Sequence, residues 1–191
     1  MDNSTATKQI LAIVGMPGSG KSEAVAYLQS KKIPVIRFGQ YTDEGLTQQG
    51  LSLTPENERQ FRENLRKELG MAAYAIKARA KIAELISREA VLAIDGLYSW
   101  EEYLYLKNLY PELILIHIYA EPKRRYARLA KRSVRPLQPE EARERDLNEI
   151  GKLNKGGPIA IADYLIENNE EKIAGLQQKM EALLSRLELT R

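Results

Sequence analysis

Short apolar runs alternate with helical stretches along this chain. Gln9-Ile10-Leu11-Ala12-Ile13-Val14 is apolar after its first residue and stops at Gly15, which predicts a buried strand. Lys21 to Lys32 predicts a helix. Ile33-Pro34-Val35-Ile36-Arg37-Phe38 predicts a second short strand, and Pro34 disfavours an interior place for it because proline donates nothing to a ladder. Gln40 to Leu53 mixes glycines with polar residues and predicts a loop or a broken helix. Thr54-Pro55 is a helix start, with Thr54 as N-cap and Pro55 in the first turn, and Gly70 can end that helix after Leu69. An alanine-rich helix is expected over Met71 to Arg88, then a strand over Ala90 to Ile94 that ends in Asp95-Gly96. Ser99 can cap a helix reaching about Asn108, and Leu113 to Tyr119 reads as another buried strand. Helices follow from Pro122 and from Pro139, a last strand is expected over Ile161 to Ile166, and a last helix over Glu170 to Leu187. In that helix Ile173, Leu176, Met180, Leu183 and Leu187 recur at helical spacing, which points to core packing.

Strands that are apolar throughout and separated by helices indicate an α/β fold, a parallel sheet covered on both faces. Sheets of this kind bind ligands beyond the carboxyl ends of their strands. Two chemistry-bearing features fall at such ends: the stretch GMPGSGKS from Gly15 to Ser22, and Asp95.

The first has the spacing of a phosphate-binding loop. Gly15, Gly18 and Gly20 let the backbone turn tightly, and Pro17 and Ser19 complete the turn. Backbone N–H groups then converge at the start of a helix whose dipole favours negative charge. Lys21 can reach terminal phosphates, and the Ser22 hydroxyl can bind Mg²⁺. A strand before the motif and a helix after it are the context that supports it. Asp95 is the expected second anchor for the metal. The ligand implied is ATP with Mg²⁺.

Composition narrows this further. The 191 residues suit one domain, spanning 1–191, and a chain of this length buries a sizeable core. With no cysteine there is neither a disulfide framework nor a thiolate site. No apolar run is long enough for a membrane span or a signal segment, so a cytoplasmic protein without a membrane partner is expected. The net charge of +3 is too small to argue for nucleic acid, and none is expected as partner. The distribution is more informative: from Glu121 to Arg145 there are nine Lys/Arg against four Asp/Glu. Such a basic segment suits a small anionic ligand, as a lid that covers phosphates and excludes water. Arg128 and Arg132, four apart on one helix face, are the foremost candidates in it. Asn154-Lys155 begins a guanine-reading motif, but Gly157 stands where that motif needs Asp, so guanine specificity is unsupported.

Beyond these readings, the chain from Ile10 to about Leu187 resembles small nucleotide kinases of the adenylate kinase and dephospho-CoA kinase superfamily, and most of all a mainly archaeal kinase-like branch. The resemblance rests on GMPGSGKS, Gly39, Gly50-Leu51, Thr54-Pro55-Glu56-Asn57, Gly70-Met71, Asp95-Gly96, Arg145-Asp146 and Ala162-Asp163-Tyr164. It implies a three-layer α/β/α phosphate-loop fold with a five-stranded parallel sheet. It also implies a helical acceptor-binding insert near 40–88 and a lid near 121–157. Asn168 is placed by it near the adenine. The same comparison exposes a departure: Gln40 and Asp43 stand where the superfamily commonly has an acidic base and an acceptor-gripping Arg. Asp43 or Glu44 is the substitute base that remains nearby, and Arg59, Arg62 and Arg66 are available to hold an anionic acceptor.

His117, inside LILIHIY, reads as a core or edge histidine, and Trp100 as packing. Tyr103, Tyr105 and Tyr110 form no recognisable base-stacking platform. The expected activity is Mg²⁺-dependent phosphoryl transfer from ATP to a small nucleotide-like or nucleoside-like acceptor. A dephospho-CoA kinase-like enzyme, a slow ATPase and a nucleotide-sensing module are the alternatives.

Overall fold

The first strand sets the plan of the molecule. In the computed structural model, which describes residues 8–189, β1 (Gln9–Val14) is buried along almost its whole length and is hydrogen-bonded on both sides. Its side chains alternate between faces as the pleat requires. Ile10, Ala12 and Val14 enter one apolar layer, and Leu11 and Ile13 enter the other. The other strands are β2 (Val35–Arg37), β3 (Val91–Asp95), β4 (Leu113–Tyr119) and β5 (Tyr164–Glu167). Every pairing is parallel, and the order across the sheet is β2-β3-β1-β4-β5. β1 and β3 are thus central, and their carboxyl ends carry the glycine-rich loop and Asp95 side by side, with Ile13 in register with Asp95. β2 lies at an edge, the place a strand led in by Pro34 tolerates.

Helices cover both faces. α1 (Lys21–Ser30) and α9 (Ile173–Arg186) pack Ala24, Leu28, Leu176 and Met180 on the Leu11/Ile13 side. α4 (Ala73–Arg88) and α5 (Trp100–Leu109) pack Ala78, Ile82 and Leu106 on the opposite side. Leu28, Ile82 and Leu106 are fully buried, and truncating any of them to alanine costs about 2–5 kcal/mol. Between β2 and β3 the chain also builds α2 (Gln40–Gln48) and α3 (Pro55–Leu69). Between β4 and β5 it builds α6 (Pro122–Ala130), α7 (Pro139–Gly151) and the short α8 (Gly156–Ala160).

The helix starts follow local chemistry. The Thr54 hydroxyl accepts from the Asn57 N–H at 3.2 Å, and Ser99 forms a reciprocal capping box with Glu102. Gly70, with φ +77°, ends α3. Segment 40–48 differs from its reading as a loop or broken helix: it is a continuous α2. The reason lies outside the segment. A Cβ at Gly45 would come within 2.1 Å of the Phe61 ring, so the glycine that weakens the local pattern is what lets α2 pack on α3. The last strand begins at Tyr164, later than Ile161, because 161–163 form the turn that follows α8. His117 is buried in β4, edge-on to Tyr119 with ring centroids 6.0 Å apart. Among the described residues no helix is long and apolar enough to cross a membrane.

Candidate nucleotide site

At the carboxyl ends of β1 and β3 lies a cavity of about 470 Å³, bordered by Gly18, Gly20, Lys21, Ser22 and Asp95. The loop that shapes it departs from ordinary backbone at three glycines, Gly15 (φ +145°), Gly18 (φ +78°) and Gly20 (φ +103°). Each also sits where a side chain would collide. A Cβ at Gly15 would lie 2.4 Å from the Ile118 carbonyl oxygen, one at Gly18 2.7 Å from that of Arg125, and one at Gly20 2.2 Å from Asn168 Nδ2. The glycines therefore serve close approach as well as turning. Ser19 is buried and its hydroxyl has no protein partner. Lys21 Nζ donates back to the Met16 carbonyl at 3.0 Å. Burial, reinforced by the neighbouring Lys155 charge, pushes the Lys21 ammonium down to about 7. Burial likewise raises the Asp95 carboxyl, against the pull of Lys21.

These features fit a nucleotide with its metal. Among the described residues no group of three or more His, Cys, Asp or Glu could hold an ion alone. One hydroxyl and one carboxylate at the edge of a phosphate cradle is instead the donor set of a hard cation that arrives with its phosphates.

The structure distributes the residues singled out in the sequence unevenly. Pro17, Gly18, Gly20, Lys21, Ser22, Asp95, Arg128, Arg132 and Asn168 all border the cavity. Asn168 is buried, and its side chain donates to the Ser19 carbonyl at 2.8 Å, tying the last strand to the phosphate loop. Arg128 spends its Nη2 on the Asn168 and Glu170 carbonyls, at 2.8 and 2.7 Å, which fixes it on the side of the cavity beside Gly20. Arg132 is exposed at the rim.

Asp43 and Glu44 do not border the phosphate cavity. Asp43 is ion-paired with Arg37, and Glu44 borders a different cavity between α2 and α3. Arg59, Arg62 and Arg66 share a face of α3 but none borders the phosphate cavity. Arg59 is exposed, Arg62 pairs with Glu58 at 3.2 Å, and Arg66 lies over the Tyr74 ring at 5.3 Å.

The cavity wall also includes Tyr98 and Glu149, which carried no signal in the sequence, Arg145, noted there only within Arg145-Asp146, and Lys155, noted only within Asn154-Lys155. Glu149 takes Arg145 on one oxygen, at 3.0 Å, and Lys155 on the other. Arg125 was counted only as part of the basic supply, yet it is buried and its Nη1 donates to the Pro17 carbonyl at 3.0 Å. The one available signal for Lys155 was its failure as a guanine motif, since Asn154-Lys155 is followed by two glycines.

Residues 11–149 match the AAA domain family. A UPF0200 protein of Thermococcus onnurineus is 35% identical over 183 residues, covering 92% of this chain and 98% of the relative. The chain belongs to the UPF0200 family, within these phosphate-loop proteins. Solved structures extend the likeness at the level of fold. A shikimate kinase from Bacteroides thetaiotaomicron superposes with a TM-score of 0.61 at 17% identity, covering 95% of this chain and 99% of that one. A gluconokinase from Sinorhizobium meliloti does so with a TM-score of 0.55 at 15% identity, covering 94% and 93%. The UPF0200 chain thus has the phosphate-loop kinase fold, an all-parallel five-stranded sheet flanked by helices.

Proposed function

We propose that the protein is an ATP- and Mg²⁺-dependent phosphotransferase acting on a small nucleotide-like or nucleoside-like acceptor. The observation that carries this reading is the convergence of Lys21, Ser22 and Asp95 on one cavity beneath the basic α6–α7 segment. The backbone from Gly15 to Ser22 cradles phosphate, and Lys21 neutralises charge on the outer phosphates. Ser22 and Asp95 would hold the Mg²⁺, which when bound offsets charge on the phosphate oxygens. Arg132 closes from the rim, and Arg128 with Asn168 positions the nucleotide beside Gly20. Little covalent work falls to the protein in this chemistry, and positioning and electrostatics dominate it. Residues 40–88 would form the acceptor side and 121–157 the lid.

The test is ATP consumption with Mg²⁺ across nucleoside monophosphates, nucleosides and dephospho-CoA, with Lys21→Ala as control. An acceptor that raises the rate at least about tenfold, equal to about 1.4 kcal/mol of barrier, and loses the effect in the variant supports the reading. A slow background that no acceptor changes overturns it. One observation favours a second reading, a slow ATPase or nucleotide-sensing module: the Arg37–Asp43 pair and the displaced Glu44 leave no carboxylate from α2 at the phosphate cavity.

A further inference from the structure

Lys155 is a lysine in an unusual position. It is 1% exposed, yet it borders the same cavity as Lys21. Burying an ammonium is costly unless it is paired, and here the pairing is incomplete. Of three N–H donors, one is given to Glu149 Oε2, and the Tyr98 ring lies under the ammonium at 4.5 Å. Glu149 is itself shared, because Arg145 holds its other oxygen. One carboxylate therefore serves two cations, with Lys21 close enough that Lys155 helps to push its ammonium down.

The turn that delivers Lys155 is built for the purpose. Asn154 adopts a left-handed conformation at φ +54°, and its side chain donates to Glu101 at 2.8 Å. Gly157 lies flat on Trp100, where a Cβ would come within 2.6 Å of the indole. α5 thus clamps both sides of Lys155. A lysine held this way is a fixed point charge, unlike the exposed Arg132.

We infer that Lys155 is a second phosphate-binding lysine of this site, contacting the terminal phosphoryl group of a bound nucleoside triphosphate opposite Lys21, with Glu149 and Trp100 as its positioning residues. The inference rests on the nucleotide reading above and adds to it a residue that discriminates triphosphate from diphosphate.

The test is calorimetric titration of the full chain, with Mg²⁺, by ADP and by an ATP analogue bearing an imido bridge between the β and γ phosphates. Lys155→Met is expected to weaken the triphosphate analogue at least about tenfold and ADP less than about twofold, with Lys155→Arg recovering part of the loss. Parallel weakening of both ligands, or no change in either, overturns the inference and leaves the nucleotide reading standing. Absence of saturable binding of either ligand to the unaltered protein overturns both. Should Lys155→Met lose its unfolding transition, a crystal structure of the unaltered protein with the analogue decides. Nζ within about 3.5 Å of a terminal phosphoryl oxygen supports the inference, and Nζ on Glu149 alone overturns it.

Discussion

Arg125 and Asp146 are joined by two parallel hydrogen bonds, Nη1 to Oδ1 at 2.9 Å and Nη2 to Oδ2 at 2.6 Å, and both residues are buried. The same guanidinium donates to the Pro17 carbonyl at 3.0 Å and, through Nε, to that of Ala120 at 3.2 Å. Tyr126 adds its hydroxyl to Asp146 at 3.0 Å. The pair therefore links α6, α7 and the phosphate loop. This bidentate contact, with its link to Pro17, is a rigid anchor between the basic segment and the phosphate loop.

Breaking that contact leaves a buried charge alone. Arg125→Met and Asp146→Asn are each expected to destabilise the fold by about 3–5 kcal/mol, because one partner remains desolvated without its counter-charge. Urea unfolding measures this, and the double variant should cost clearly less than the sum of the two. Additive losses would mean that Arg125 acts through Pro17 and Ala120 alone.

Gly18 offers a test of the cradle that leaves every charge in place. Its φ of +78° disfavours any side chain, and a Cβ there would meet the Arg125 backbone oxygen at 2.7 Å. Backbone cannot yield as a flexible side chain does. Gly18→Ala is expected to cost about 1–3 kcal/mol of stability and to reduce nucleotide affinity more than Ala substitution at exposed Lys131 does. Equal affinity in the two variants would show that the loop tolerates displacement.

The phosphate loop, Asp95 and the sheet were legible because each is written locally, as glycine spacing, strand-end position and continuous apolar runs. The charged wall was not. Arg125 and Arg128 lie on one short helix, yet one is bound to Pro17 and Asp146 and the other to the carbonyls of Asn168 and Glu170. Spacing places both on a helix face but says nothing of which carbonyls the fold will bring near. Lys155 was hidden for a similar reason, since its setting depends on Trp100 and Tyr98, more than fifty residues earlier. Segment 40–48 was misread because the partner that makes Gly45 useful, Phe61, belongs to another helix.

Arg135, in the loop between α6 and α7, makes a two-pronged contact with Glu58 of α3, at 2.7 and 3.1 Å. Its Arg side is exposed and its Glu side is not, with 54% and 14% of the side chains accessible. The contact bridges the loop after α6 to α3. Glu58→Gln also loses the Arg62 pair, and because both arginine side chains stay open to solvent the total cost is expected at about 1 kcal/mol. It should nonetheless raise amide hydrogen exchange across residues 131–138, and high salt should have the same effect on the unaltered chain. Unchanged exchange in both cases would mean that the bridge does not restrain the loop.

Burial of Glu102 implies a pH dependence of stability whose sign follows from its chemistry. Its Oε2 accepts from the Tyr98 and Ser99 N–H groups at 2.8 and 3.1 Å, while Oε1 is buried without a partner. Burial pushes this carboxyl up from 4.5 to about 7, against the two backbone donors and the Arg66 charge. In the unfolded chain the group ionises near 4.5, so below that pH both states hold the proton and nothing is lost. As pH rises from 4.5 towards 7 the unfolded state releases its proton first, and stability falls by about 3 kcal/mol in total. Above about 7 both states are ionised and this contribution is flat. Glu102→Gln keeps an oxygen for Tyr98 and Ser99 and cannot ionise. The difference in unfolding free energy between variant and unaltered protein should therefore shift in favour of the variant between pH 4.5 and 7, and hold constant beyond. Parallel curves across that range would show that Glu102 is charged in the folded state throughout.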